Sequence, residues 1–129
     1  GLPVEAKYTL EVGTTMDAAY ADMKRYLEEK IKLTTAFMAD NDMIALGAMK
    51  AMAEYGVRIP EEVSVIGFDD LPFSAISSPP LTTLRVPKQE IGRIATRRLI
   101  QMIKERQEAG VKIEVSTQFV ERGSVKTIK

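Results

Sequence analysis

The chain has 129 residues, 45% apolar, 28% charged and 6% aromatic, with 18 basic residues balancing 18 acidic ones and with no His and no Cys. A chain this long buries about 65 to 70% of its unfolded surface on folding, so one domain with its own core is expected and disorder is not. The missing residue types exclude a disulfide framework, a thiolate zinc site, an imidazole base and a Ser-His triad, and zero net charge leaves no global field to draw nucleic acid or anionic lipid.

No apolar run reaches the roughly 18 residues that span a bilayer, and no basic-then-apolar leader is present, so no membrane partner is expected. Short β-type runs alternate with longer helix-period stretches, the pattern of a parallel α/β sheet. Tyr8 to Val12 reads as a short strand. From Thr15 to Lys30, Met16, Ala19, Tyr20, Met23, Tyr26 and Leu27 recur at three- and four-residue spacings, which predicts an amphipathic helix lying on the sheet. Thr34 to Ala39 reads as the next strand. Asp40, Asn41 and Asp42 then supply N-cap chemistry for a helix that runs to Tyr55 and is closed by Gly56. This helix is apolar on almost every side, so it must be covered twice, by the sheet and by either a partner subunit or another helix.

Val63 to Phe68 is β-branched and nearly all apolar, as expected of a strand covered by helices on both faces. Leu71 to Pro80 is Pro- and Ser-rich and reads as a surface loop, and Leu81 to Val86 resumes a strand. Beyond Pro87, over residues 88 to 108, Ile91, Ile94, Ala95, Leu99, Met102 and Ile103 form one apolar stripe opposed by Arg93, Arg97, Arg98, Lys104 and Arg106. Val111, Ile113, Val115, Thr117 and Phe119 alternate with polar residues, which predicts a strand with one wet face.

In an open parallel sheet, ligands bind beyond the carboxyl ends of the strands, where helix N-termini present free N–H groups. Asp40 to Asp42 follow one strand and Asp69 with Asp70 follows the next, so both clusters are expected on one rim. A carboxylate accepts from hydroxyls while an Asn amide both donates and accepts, which suits the edge of a polyol or sugar. Each cluster also has a plain structural reading, as helix caps and as an ordinary turn. The acid pairs Glu61-Glu62 and Asp69-Asp70 lack a phosphate-cradling glycine loop or a reactive lysine, so metal catalysis is set aside and no cofactor is expected.

Residues 36 to 70, AFMADNDMIALGAMKAMAEYGVRIPEEVSVIGFDD, with PPLTTL at 79 to 84, IGRIATRRLIQMI at 91 to 103 and VERGSV at 120 to 125, resemble the LacI/GalR family of sugar-responsive bacterial transcription regulators. The resemblance implies an α/β, three-layer αβα fold with a mainly parallel sheet, the C-terminal lobe of a periplasmic-binding-protein-like effector domain. The implied function is that of a cytoplasmic regulator which binds a small polar effector, acts as a homodimer, is not an enzyme, and meets operator DNA only through an N-terminal domain outside these residues. It places Asn41 and Asp69 on effector hydroxyls, and Thr14 and Val86 at pocket positions, though Thr14 stands where some relatives have an aromatic. Met43, Leu46, Gly47, Met49, Lys50 and Ile76 fall in segments that resemble parts of the dimer interface. Residues near 85 to 108 are expected to cross toward another lobe, and without it that helix is expected to fold its stripe onto its own domain or a neighbour's, or to be exchanged between chains. A transport receptor of the same fold is the alternative; an enzyme on a flavodoxin-like sheet lacks a nucleophile-base pair.

Overall fold

The alternation read from the sequence is present in the computed structural model, which describes residues 8–105 and 110–127. In chain order the elements are α1 (Met16–Glu28), β1 (Ala36–Met38), α2 (Asp42–Glu54), β2 (Ser64–Asp69), α3 (Pro72–Ile76), β3 (Thr82–Arg85), α4 (Lys88–Glu105) and β4 (Gln118–Val120). One sheet orders the strands β1-β2-β3-β4, with the first three parallel and β4 antiparallel to β3. The mainly parallel α/β architecture is therefore the one expected.

Local chemistry sets the helix ends. Thr15 is extended and its hydroxyl accepts from the Ala18 amide at 3.3 Å, while Asn41 is extended and its Oδ1 accepts from the Ile44 amide at 2.9 Å. α2 closes as Gly56 takes φ +77° and Val57 donates back to the Met52 carbonyl, a left-handed stop that glycine adopts without strain.

The core gathers Met23 of α1, Ala45, Ala48, Met49, Ala51 and Met52 of α2, Val65 of β2, and Val63 and Leu81, which lead into β2 and β3. α1 is thus the second cover of α2: a Cβ on Gly47 would collide with the Met16 carbonyl oxygen, so the two helices touch backbone to backbone. Two residues expected at a dimer interface take part in this packing. Gly47 faces α1 and Met49 is 4% exposed in the protomer's own core.

The structure departs from the sequence reading at four places. Tyr8 to Val12 forms no strand; Tyr26 donates to the Glu11 carbonyl at 3.0 Å and Asp22 takes the Gly13 amide at 2.9 Å, so side chains of α1 bind backbone that a strand would have paired. The 71 to 80 loop contains α3, with Pro72 at its first helical position. From the predicted strand at 111 to 119 only Gln118–Val120 pairs, because β3 is four residues long and meets β4 only from Thr83 to Arg85. Finally, α4 does not pack onto its own domain. None of its residues is buried: Ile91 and Leu99, 40% and 58% exposed, line a groove with Val111, Ile113 and Val115, and Ile103 is 69% exposed. The predicted residues 106 to 108 of that helix lie outside the described residues.

Candidate functional site

Three parallel strands end on one rim, and their register fixes what stands there. Met38 pairs with Ile66, and the Ala39 amide donates to the Ile66 carbonyl at 2.9 Å. Asn41 and Asp69 each follow this matched pair by three residues, Asn41 opening α2 and Asp69 ending β2. Asn41 spends its Oδ1 on the helix cap, which leaves the amide nitrogen as its donor toward any guest.

The neighbouring acids divide the work. Asp42 is fully buried and accepts from the Leu71 amide at 2.8 Å, the Ser74 hydroxyl at 2.5 Å and the Thr83 hydroxyl at 2.5 Å. It thereby ties the start of α2 to α3 and β3, and Gly67 is required beside it because a Cβ there would strike the carboxylate. Asp70 accepts from Arg122 at 2.5 Å and Arg85 at 2.6 Å, with its side chain 9% exposed. Burial works against its charge, but the two guanidinium hydrogen bonds outweigh that and hold its carboxyl below the ordinary carboxylate value.

Asp69 remains the accessible acid of the pair, with its side chain 33% exposed. Its Oδ1 stands 3.3 Å from the Lys88 ammonium, which also donates to the Asp69 carbonyl. Both aspartates have positive φ, 117° and 54°, so the turn that presents them is one that L-residues enter at a cost.

Three of the four expected ligand residues distribute over two open cavities. Asp69 and Val86 share one of about 560 Å³ with Asp70, Arg85, Pro87, Lys88 and Arg93, while Thr14 lines another of about 460 Å³ with Asp40, Met38 and Ala39 at the end of β1. Both volumes fall within the range of small-molecule sites. Asn41 lines neither. Lys88, Arg85, Arg122 and Asp42 escaped the sequence reading as site residues; charge alternation and capping account for each of them in one dimension, and only the fold turns them toward the rim. Of the other residues expected at an interface, Met43 and Leu46 are half-buried, Lys50 is exposed with its ammonium 4.7 Å over the Tyr20 ring, and Ile76 is 80% exposed. Among the described residues no helix is long and apolar enough to cross a membrane, and no cluster of three metal-ligating side chains occurs.

A mainly parallel sheet with capped helix N-termini carries two unequally engaged aspartates, Asp69 and Asp70, on one rim. The periplasmic binding protein-like domain matches residues 1–125. The HTH-type transcriptional repressor PurR of Haemophilus influenzae is 37% identical over 131 residues, and the probable repressor ExuR of Bacillus subtilis is 33% identical over 127; each alignment covers 98% of this chain and 38% of the relative. Among solved structures, the CelR–cellobiose complex superposes with a TM-score of 0.85 at 26% identity, covering 95% of this chain and 37% of that one. A LacI family regulator from Arthrobacter sp. FB24 in complex with lactose gives 0.78 at 30% identity, covering 89% and 43%. The chain belongs to the periplasmic binding protein-like domain family, in its LacI/GalR branch, and it spans 38% of the length of the repressors named. These relatives are repressors, not enzymes.

Proposed function

We propose that the chain is the C-terminal lobe of the effector domain of a cytoplasmic LacI-type transcription regulator, and that it forms one wall of a cleft for a small polar effector. Asp69 accepts from effector hydroxyls, Asn41 donates through its amide nitrogen, and Val86 and Thr14 flank them. The observation that carries this reading is the register: two residues with complementary hydrogen-bonding groups leave neighbouring parallel strands three positions beyond the same pair. Asp42 is buried and the Asp70 side chain 9% exposed, both with their acceptors engaged by the protein itself, whereas the Asp69 side chain, paired through Oδ1 with Lys88, is 33% exposed and open to a guest. Solved neighbours carry lactose and cellobiose, so a sugar or sugar-like effector is the favoured class. The effector acts by preferring one arrangement of two lobes, with residues near 85 to 108 crossing to the other lobe, and this preference alters operator binding through an N-terminal domain. The regulator is a homodimer that uses Ile76, with Met43, Leu46 and Lys50 nearby. The repressor relatives favour this over a transport receptor of the same fold.

Titration calorimetry of the regulator carrying this chain against ribose, lactose and cellobiose tests the site. Asp69→Ala is expected to weaken whichever sugar binds by roughly tenfold or more, the worth of a lost charge-assisted hydrogen bond, without loss of folding. Unchanged affinity in a folded Asp69→Ala protein removes Asp69 from the site.

A further inference from the structure

α4 and residues 110–117 form an arm that leaves the sheet after Arg85 and re-enters it at Gln118, and these two residues face each other across the β3–β4 pair. The arm buries none of the α4 residues, so it draws little orientation from packing. Its orientation has to come from the two crossings.

Both crossings are gripped by one carboxylate. Asp70 holds Arg85 on the outgoing strand at 2.6 Å and Arg122, just past the incoming strand, at 2.5 Å. Arg122 is itself fixed, since it donates from Nη1 to the Leu81 carbonyl at 2.7 Å and its backbone amide donates to the Thr82 hydroxyl at 2.9 Å. Lys88, the first residue of α4, adds a third tie through Asp69. Two consecutive residues at positive φ are thus fastened to both ends of the arm by three cations. Ion pairs between exposed side chains contribute little, but Asp70 and Arg122 are 9% and 17% exposed, where losing one partner leaves a poorly solvated charge.

We propose that Asp70 is a positioning residue: it sets the angle at which the arm leaves and re-enters the sheet, and thereby the width of the opening over Asp69. The consequence for ligand rests on the reading of Asp69 given above, whereas the mechanical claim does not, because every tie of the clamp is made between groups of this chain. A guest that engages Asp69 acts on the turn that holds both crossings, so occupancy of the rim and direction of the arm are linked through a single peptide unit.

The chain has no Cys, so a label pair can be introduced cleanly at exposed positions, Ala53→Cys on α2 and Thr96→Cys on α4. Pulsed electron-electron resonance on the spin-labelled, ligand-free chain reads the body-to-arm distance directly. Asp70→Asn is expected to broaden that distance distribution roughly twofold and to shift its mean, as freeing a hinge does. Arg85→Met, which removes only the half-exposed partner, broadens it less, and Lys24→Met, which removes an exposed ion pair of α1, leaves it unchanged. Far-ultraviolet circular dichroism establishes which variants are folded. If Asp70→Asn fails to fold, Arg85→Met decides: a distribution broader than that of Lys24→Met supports the clamp. A folded Asp70→Asn or Arg85→Met protein whose distribution matches the unsubstituted chain overturns the proposal, whatever the outcome of any sugar titration.

Discussion

α2, apolar on almost every side, and α4, apolar along one stripe, have opposite fates. α2 buries eight of its thirteen residues between the sheet and α1, whereas α4, five residues longer, buries none. The difference lies in what the rest of the chain brings to each. Gly47 lets α1 approach α2 to backbone contact, and Val65 and Leu81 close the opposite side; across from α4 stand only Val111, Ile113 and Val115. Periodicity states which face of a helix is prepared for burial, and a second surface has to exist before that face stabilises anything.

Substitutions sharpen this contrast, beginning where the effect is largest. Met52→Ala empties a fully buried site in the body and is expected to lower stability by about 2 to 5 kcal/mol in urea titration. Asp42→Ala leaves the Leu71 amide and the Ser74 and Thr83 hydroxyls without their acceptor, at a cost of about 3 kcal/mol read in the same way. Asn41→Ala removes the cap of α2 and is expected to cost about 1 kcal/mol. Leu99→Ser on the exposed stripe of α4 changes stability by less than about 0.5 kcal/mol, and a loss as large as that of Met52→Ala would erase the distinction between body and arm.

Acid titration adds a check on the turn that joins the two regions. The Asp70 carboxyl is held below its ordinary value, so its contribution to stability is fully present above the unfolded carboxylate value of about 3.9. That contribution is lost as pH falls through the lower folded value. Asp70→Asn is therefore expected to flatten the stability profile below about pH 4, and a profile unchanged by the substitution contradicts the pairing.

Much of the body was legible in one dimension because its signals are local. The run 63 to 68 is β-branched and nearly all apolar, Asn41 caps its helix within three residues, and Gly56 marks a stop. What escaped depends on contacts distant in sequence. Tyr8 to Val12 has the pattern of a strand, but Tyr26 takes the Glu11 carbonyl that a neighbouring strand would have claimed. α2 had two covers open beyond the sheet, a partner subunit or another helix, and inspection of α2 alone does not reveal that α1 supplies one. At the site, Asp69 and Asn41 were visible as strand-end residues, whereas the unequal roles of Asp69 and Asp70 depend on Arg122, some fifty residues away in sequence, and on Arg85 across the sheet.

The account stands on Asn41 and Asp69 sharing one guest. A crystal structure of the regulator carrying this chain, grown with whichever of ribose, lactose or cellobiose binds it, addresses that directly. The expected result is a sugar whose hydroxyls lie within hydrogen-bonding distance of both Asp69 Oδ and Asn41 Nδ2, with Asp70 still held by Arg122. A sugar bound elsewhere on the molecule, or one that contacts neither side chain, contradicts it.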